Sequence, residues 1–353
     1  MRRASPLVLG IETSCDDTAC AVVDGEGRVL ASVVSSQLAA HRPYGGVVPE
    51  IASRAHLANW PAVSRAALAQ AGASTDRIEA VAATRGPGLV GALLVGLSLG
   101  KSIAYARRIP FHAVHHLDGH LHSPFLRLAG EPAVPEPDRF VGLVLSGGHS
   151  ALFAVDDGMA TTLGEARDDA MGEVFDKVGK RLGLPYPQGP RVDELAELGA
   201  PGACPFPVPD CGPSLDFSYS GLKSQALLAI ERLEARLGPL DLGDPELPPP
   251  RAALDLLAGF RFAAVGQVLD RLERLAAGRP IDVLAVSGGA AANRLLRREL
   301  PLWAERRGVD LRLVPLDYSG DNAAMIANAA RLRQARGLAD DPLTAEAESR
   351  IPL

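Results

Sequence analysis

The sequence predicts an α/β protein built from two similar halves. Its 353 residues are 47% hydrophobic and 22% charged, a balance typical of a globular chain long enough for two domains. Short apolar runs alternate with longer segments of helical periodicity, which is the pattern of βαβ units. One order of elements also occurs twice: strand, polar turn, strand, and later strand, glycine turn, helix.

The first half contains five predicted strands and three predicted helices. Apolar runs that stop at polar turns predict strands at 7–11, 19–23, 28–34, 78–84 and 111–114. Helical periodicity predicts helices at 50–71 and 89–106, and a histidine-rich helix at about 116–128. Pro61 lies inside the first of these helices, so we expect a kink or a division there.

The second half repeats this order after a Pro-rich break at 130–138, the predicted domain boundary. We expect strands at 140–145, 151–155, 281–286 and 311–316, and helices from about 291 and at about 319–336. A more helical region, about 185–260, is interpreted as an insertion. The predicted domains are therefore 1–130, completed by the helix 319–336, and 139–318.

The formal net charge is −6, whereas a protein that grips nucleic acid alone usually has an excess of basic charge. Any RNA contact should therefore be a local basic patch or be shared with a partner. Solvated helix faces explain the candidate patches equally well. The candidates are the pairs Arg107–Arg108, Arg297–Arg298 and Arg306–Arg307.

Three features favour a cytoplasmic protein with no membrane contact. The four cysteines form no CxxC pair and fit no zinc knuckle. The first residues lead straight into a predicted strand, without the pattern of a signal peptide. The longest apolar stretch, 89–99, is too short to span a bilayer.

Five of the eight histidines lie between positions 112 and 122: His112, His115, His116, His120 and His122. If this segment is helical, His116 and His120 share a face, because they are four residues apart, and both imidazoles can bind one metal ion. Capping and surface roles are the alternative interpretation.

Asp321 is the best candidate for a third ligand, because it follows a predicted strand and begins a predicted helix. A carboxylate that only stabilises the helix N-terminus is the alternative. Two nitrogens and one oxygen would leave coordination positions open, which suits a catalytic iron or zinc ion rather than a closed structural site.

Three glycine turns follow predicted strands, at 86–88, 146–148 and 287–289. Backbone N–H groups in such turns favour anions, so we expect a phosphate-bearing ligand between the two halves, although tight packing alone also explains each turn. Carboxylates on one predicted helix can accept hydrogen bonds from ribose, or form a solvated face: Asp168, Asp169, Glu173 and Asp176. Asn293 can read a purine edge or cap a helix.

Six motifs together resemble one family, the tRNA N6-adenosine threonylcarbamoyltransferases (TsaD), formerly called glycoproteases. The motifs are 10–18 (GIETSCDDT), 44–50 (YGGVVPE), 86–89 (GPGL), 115–120 (HHLDGH), 146–149 (SGGH) and 321–322 (DN). They occur in order, and the resemblance extends from about residue 7 to 330. One departure is Gln188-Gly189-Pro190, where the family often has Gly-Gly-Pro.

The resemblance implies the fold shared by actin, hexokinase and the heat-shock ATPases, with two duplicated domains and a cleft between them. It implies that His116, His120 and Asp321 hold one divalent metal ion, with Fe²⁺ as the favoured ion and zinc as the alternative. It associates Asp16 with catalysis. The substrate-binding residues that it implies are Val144, Leu145, Ser146, Gly147, Gly148, Asp176, Gly189, Asp193 and Asn293.

The resemblance also implies a reaction and its partners. The threonylcarbamoyl group would pass from threonylcarbamoyl-AMP, made by a separate enzyme, to N6 of adenine 37 in tRNAs that read codons starting with A. The expected protein partners are a TsaB-like paralogue and a small TsaE-like ATPase.

Three other functions agree less well with the sequence. A metalloprotease helix usually has Glu directly after its first histidine, but Leu117 follows His116 here. A small-molecule kinase of the same fold does not need a paired-histidine metal site. A non-catalytic scaffold paralogue should lose the histidine pair, which this chain keeps.

Overall fold

The computed structural model describes residues 6–128, 135–244, 246–338 and 341–353. The strands are β1 Leu7–Glu12, β2 Asp17–Asp24, β3 Val29–Ser36, β4 Ile78–Gly86, β5 Phe111–His115, β6 Arg139–Leu145, β7 Ser150–Asp156, β8 Met159–Glu165, β9 Val283–Ser287 and β10 Asp310–Leu313. The helices are α1 Leu38–His41, α2 Pro49–Gln70, α3 Val90–Arg107, α4 His116–His122, α5 Met171–Arg181, α6 Gln188–Ala196, α7 Ser220–Leu237, α8 Arg251–Gly278, α9 Arg294–Arg307 and α10 Ala323–Ala335.

The described residues fall into two compact units. Unit 1 takes its residues from Met1–Asp138, Asp156–Ala160 and Val314–Leu353. Unit 2 takes its residues from Arg139–Val155 and Thr161–Leu313. The C-terminal helix α10 thus belongs to the same unit as the first five strands.

The two five-stranded sheets have the same strand order, which confirms the internal duplication. The first sheet runs β3-β2-β1-β4-β5 and the second runs β8-β7-β6-β9-β10. In the first sheet, β1 is antiparallel to β2 and parallel to β4, and β4 is parallel to β5. In the second, β9 is parallel to both β6 and β10. Turns that follow the parallel strands of one sheet therefore lie at one edge of it.

Helix α10 packs unusually close to the first sheet, because two glycines leave room for it. A Cβ at Gly10, in the middle of β1, would lie 2.1 Å from the carbonyl oxygen of Ala323. A Cβ at Gly119, in α4, would lie 2.9 Å from Ile326 and 3.0 Å from Met325. The start of α10 therefore lies beside both β1 and α4, which positions Asp321 close to the histidine-rich helix.

Several elements differ from the sequence prediction. Helix α4 ends at His122 and not near residue 128, because Pro124 has no N–H to donate to the carbonyl of His120, and the short 3₁₀ helix Ser123–Phe125 follows instead. Helix α2 continues through Pro61 without dividing. The insertion helix α8 extends past residue 260, to Gly278. Helix α10 begins at Ala323 rather than at 319.

The predicted acidic helix is also shorter than expected. Helix α5 begins at Met171, so Asp168 and Asp169 precede it and do not share its face. Asp168 instead accepts hydrogen bonds from the backbone N–H groups of Tyr219 and Ser220, at the start of α7. This contact with another element holds the segment out of helical conformation.

Among the described residues, one helix is long and apolar enough by composition to cross a membrane. It is α8, and 67% of its most apolar window is buried inside the protein. Its residues contribute to the core of unit 2, including Leu257, Phe260 and Val268. Burial of this kind is characteristic of a core helix.

Candidate functional site

His116, His120 and Asp321 meet at one point of unit 1, as the sequence predicts. Their ligand atoms all lie within 4.8 Å of one another. Asp321 Oδ1 is 3.5 Å from His116 Nε2 and 3.3 Å from His120 Nε2. The two imidazole rings are nearly perpendicular, with centroids 4.7 Å apart, as expected for neighbours on one helix face.

The residues of this cluster fit a metal ion. Neither ring nitrogen of the fully buried His120 makes a well-directed hydrogen bond to another described residue. A buried nitrogen without a partner is costly, and coordination to a cation would satisfy it. Asp321 does not cap α10, since Asn322 does so by accepting a hydrogen bond from Met325 N–H. Asp321 therefore does not supply the capping hydrogen bond, and its carboxylate instead faces His116 and His120.

Electrostatics in the cluster favour a positive charge. Burial lowers the pKa of His116, but the carboxylates of Asp321 and Glu12 outweigh burial and raise that pKa to about 10. Burial raises the pKa of Asp321, but His116 and His120 hold it well below its ordinary value. Burial lowers the pKa of His120, and its net shift is downward. A proton on His116 or a metal cation would balance the same carboxylates.

Glu12, at the end of β1, orients His116. Its Oε2 lies 3.2 Å from His116 Nδ1, on the opposite side of the ring from Asp321. Glu12 is fully buried and also accepts hydrogen bonds from the Thr84 hydroxyl and from Ser14 N–H. Burial raises the pKa of Glu12, but His116 outweighs burial and lowers it. A carboxylate that receives Nδ1–H leaves Nε2 as the ligand atom, the usual support for a metal-binding histidine.

Asp16 lies half-buried in the turn between β1 and β2, which buried side chains hold in place. His56 Nε2 lies 3.0 Å from the carbonyl oxygen of Cys15, so this nitrogen carries the hydrogen. His56 Nδ1 then accepts from the Thr18 hydroxyl at 2.8 Å and from the Gln37 amide at 3.2 Å, and the Gln37 oxygen accepts from His41 Nε2 at 3.2 Å. Burial lowers the pKa of His56, in agreement with a neutral ring.

In unit 2, the turn after β6 presents open backbone. Ser146 N–H donates to the carbonyl oxygen of His149 at 2.7 Å, and Ser146 Oγ accepts from His149 N–H at 3.1 Å. A Cβ at Gly147 or Gly148 would meet nothing within 4 Å. Gly172, in the first turn of α5, packs against this turn, since a Cβ there would lie 2.6 Å from the carbonyl oxygen of Ser146. This backbone is accessible to an anionic ligand.

Three other predicted ligand residues of unit 2 are already engaged by the protein. Asp176 Oδ1 accepts a hydrogen bond from Gly189 N–H at 2.7 Å, which joins α5 to α6. The buried Asp193 accepts from Arg261 at 3.1 Å through Oδ1 and from Arg294 N–H at 3.0 Å through Oδ2. These contacts hold the start of α9 beside α6. Ligand contacts of Asp176, Gly189 and Asp193 stay a prediction.

Asn293 caps helix α9, because its Oδ1 accepts a hydrogen bond from Leu296 N–H at 3.0 Å. The capping alternative for Asn293 is therefore confirmed, and its NH₂ group is the part that could donate to a purine. The side chains of Val144 and Leu145 are fully buried at the end of β6. Only their backbone groups could meet a ligand.

In each predicted basic pair, one arginine forms an ion pair with a nearby carboxylate. About half of the positive charge of these pairs is therefore neutralised within the protein. For the paired arginines, this supports the interpretation that they belong to solvated helix faces. The ion pairs are Arg107 with Asp76, Arg298 with Glu197 and Arg307 with Glu273.

The profile of the family described as "TsaD: tRNA N6-adenosine threonylcarbamoyltransferase" matches residues 28–328. A protein named tRNA N6-adenosine threonylcarbamoyltransferase from Geobacter sulfurreducens is 48% identical over 323 residues, which cover 91% of this chain and 90% of the relative. A relative of the same name from Pelobacter propionicus is 50% identical over 91% of this chain and 90% of its own length. This chain belongs to the TsaD family.

Solved structures with little sequence identity support the fold alone. HypF from T. kodakarensis superposes with a TM-score of 0.60 at 14% identity, covering 96% of this chain and 49% of HypF. Component A of (R)-2-hydroxyglutaryl-CoA dehydratase from Acidaminococcus fermentans superposes with a TM-score of 0.52 at 15% identity, covering 94% of this chain and 100% of that one. The predicted α/β fold of the actin, hexokinase and heat-shock ATPase class is thus confirmed.

Membership of the TsaD family, a family of transferases, agrees with the local structure and disfavours the protease alternative. Leu117 takes the position of the protease's general base, and it is buried. Asp118 Oδ1 lies 3.2 Å from His122 Nε2, where it forms an ion pair. Neither residue is placed to activate water at the His116 and His120 pair.

Sequence reasoning missed the residues that support the TsaD site. Glu12 is a charged residue at the end of an otherwise apolar strand, which was a usable signal. His115, Gln37 and His56 gave no such signal, because their long-range partners lie 15 to 236 positions away in the chain. Contacts between residues so far apart in the chain form only when the sheet has folded.

Proposed function

We propose that this chain transfers the threonylcarbamoyl group from threonylcarbamoyl-AMP to N6 of adenine 37 in tRNAs that read codons starting with A. The observation that carries the proposal is the convergence of His116, His120 and Asp321 in a member of the TsaD family. An adenine amino group is a weak nucleophile, so the donor carbonyl needs activation.

Two imidazole nitrogens and one carboxylate oxygen are a ligand set suited to Fe²⁺, our first choice, with zinc as the alternative. When bound, such an ion supplies Lewis-acid polarisation and orientation of a donor oxygen. The protein's own contribution is to hold the ligands. Glu12 keeps the hydrogen of His116 on Nδ1, and the close packing of α10 keeps Asp321 beside α4.

We assign the interaction with the acceptor adenine to Asp16. Its half-buried carboxylate lies in the turn directly after the strand that carries Glu12. From there it would orient the adenine or accept the proton that N6 loses on acylation. The hydrogen bonds through His56 and Gln37 fix the backbone of this turn and so position Asp16.

We assign the adenylate part of the donor to unit 2. The open backbone of Gly147 and Gly148 would bind the phosphate through N–H groups and stabilise the leaving AMP, while Ser146 holds the turn through its hydrogen bonds to His149. The NH₂ group of Asn293 would read the purine, and Asp176 with Gly189 would line the sugar side. The backbone of Val144 and Leu145, together with Asp193, completes the proposed set.

The partners of the reaction follow from the same proposal. The chain would act on tRNA in the cytoplasm, together with a TsaB-like paralogue and a TsaE-like ATPase. Shared RNA binding agrees with the net charge of −6 and with the ion-paired arginines.

The test is transfer activity with purified partners, donor and tRNA. Changing His116 and His120 together to Ala should abolish transfer while far-UV circular dichroism stays unchanged. Wild-type protein stripped of metal should lose activity and regain it on addition of Fe²⁺ or Zn²⁺. Undiminished transfer by the double variant would end the metal proposal.

A further inference from the structure

We propose that the C-terminal segment 341–353 positions the metal-binding helix α4 through the side chain of His115. The inference rests on the proposed metal centre. It adds a part of the chain that lies outside the matched family profile, which ends at residue 328. His115 is the residue that precedes α4, and it therefore links the segment to His116 and His120.

His115 makes two hydrogen bonds that fix both its tautomer and its orientation. Its Nδ1 lies 3.1 Å from Leu117 N–H, which can only donate, so Nδ1 is an acceptor and caps the first turn of α4. Its Nε2 lies 3.1 Å from the carbonyl oxygen of Ile351, which can only accept, so Nε2 carries the hydrogen. One carbonyl of the C-terminal segment thus holds the ring in the tautomer that capping requires.

The C-terminal segment is held to the first sheet at two places, Asp341 and Glu348, before it reaches His115. Asp341 N–H donates to the carbonyl oxygen of Phe111 at 2.8 Å, and its carboxylate accepts from Ala113 N–H at 2.9 Å. These bonds cover the free edge of β5, the outermost strand of the first sheet. Further along, Glu348 forms an ion pair with Arg85. The segment is therefore held along the edge of the sheet before it reaches His115.

Gly86 allows the segment to approach this closely. A Cβ at Gly86 would lie 2.0 Å from the carbonyl oxygen of Glu348 and 3.3 Å from the side chain of Ile351. Beyond Gly86, Gly88 N–H donates to the carbonyl oxygen of Ser349 at 3.3 Å. The glycine turn after β4 is therefore a docking site for the segment, which brings the Ile351 carbonyl onto His115.

The experiment compares two truncated chains that differ by two residues. A chain that ends at Pro352 keeps the Ile351 peptide carbonyl as the acceptor for His115, whereas a chain that ends at Arg350 lacks it. Both are measured for Zn²⁺ affinity by chelator competition. Both are also measured, in metal-free form, for hydrogen exchange at the Leu117 amide. The first chain should match wild type, and the second should bind Zn²⁺ about tenfold more weakly and exchange faster.

His115→Asn provides the rescue. Asn is a good N-cap residue and is too short to reach Ile351, so it caps α4 without the segment. In the His115→Asn background, ending the chain at Arg350 should change Zn²⁺ affinity less than about threefold, since the capping of α4 no longer depends on the Ile351 carbonyl. Equal loss in both backgrounds, or no loss from removing Ile351 in the wild-type background, would overturn the proposal.

The two readouts separate this inference from the metal proposal. If wild-type protein does not bind Zn²⁺, the metal centre fails, but exchange at Leu117 still reports whether Ile351 stabilises α4. Unchanged hydrogen exchange at the Leu117 amide in the chain that ends at Arg350 would then overturn the proposed role of Ile351 in positioning α4, whatever the metal result.

Discussion

The two units share one strand order but use the turn after their first strand differently. In unit 1, β1 ends in the buried carboxylate of Glu12, and the turn that follows carries Asp16 and leads into Asp17, the first residue of β2. In unit 2, β6 ends in the buried Leu145, and the turn that follows is Ser146-Gly147-Gly148. Duplication thus fixed where each turn lies, while its residues differ in the charge that we propose for each site: a cation in unit 1 and an anion in unit 2.

The two turns also differ in the electrostatic cost of the groups that they bury. Unit 1 buries carboxylates, which is unfavourable unless a positive partner is present, and His116 provides one. Unit 2 offers backbone N–H groups, which need no buried charge. We therefore expect substitutions in the first turn to act on metal affinity and stability, and substitutions in the second to act on ligand affinity alone.

The largest expected effect is that of Glu12→Gln. The amide keeps the shape of the side chain but loses the charge that holds His116 Nδ1–H. Loss of such a carboxylate typically weakens metal binding about 10- to 100-fold. Zn²⁺ affinity measured by chelator competition checks this.

Ser146→Ala is the matched change in unit 2, because it removes the polar side chain from the corresponding turn. It should leave Zn²⁺ affinity at the wild-type value. Equal losses in both variants would contradict the division of roles between the two turns.

An intermediate effect is expected for Gly147→Ala. The added methyl group would meet no protein atom within 4 Å, so the melting temperature should stay unchanged. It would occupy the open space over the turn and cost about one hydrogen bond to the phosphate, or roughly tenfold in AMP affinity. Calorimetric titration with AMP measures the change.

Gly202→Ala is the control for this substitution. Gly202 also has nothing within 4 Å of an added Cβ, but it lies in a short 3₁₀ helix away from the turn. The AMP affinity of the Gly202→Ala variant should equal that of wild type. If Gly147→Ala also binds AMP normally, the turn does not hold the phosphate.

The sequence was sufficient for the features that repeat or have a fixed spacing. The two strand–turn–strand units are local patterns, and the structure gives their sheets one order. The separation of His116 and His120 places them on one face of any helix, however short, so the shortness of α4 did not affect the metal prediction. Asp321 could be suggested only from its position at an element boundary.

What could not be predicted depends on contacts between distant segments. The length of α5 was overestimated because Asp168 bonds to the start of α7, which lies about fifty positions further on. His115 looked like one more member of a histidine cluster until Ile351 gave it a partner. Composition and periodicity describe neighbours in the chain, whereas these roles are set by neighbours in space.

The smallest expected effect tests the cost of the carboxylates in unit 1. Asp17 Oδ1 is buried and has no hydrogen-bond partner among the described residues. Burial and the nearby carboxylates of Asp321 and Asp16 raise the pKa of Asp17 to about 6. A carboxyl whose folded pKa is raised stays protonated in the folded state after the unfolded state has lost its proton, so the protein loses stability as pH rises from 3.8 to about 6, and the loss is complete above about 6.

Asp17→Asn removes this ionisation. The free energy of unfolding at about pH 7.5 should therefore increase by about 1–2 kcal/mol, and the gain should fall towards zero near about pH 3.5, where the carboxyl is largely protonated in both the folded and the unfolded state. Urea unfolding of wild type and variant at the two pH values measures both. A gain of equal size at the lower pH would mean that the introduced amide stabilises by packing or hydrogen bonding, and that the turn of unit 1 carries no electrostatic cost at this position.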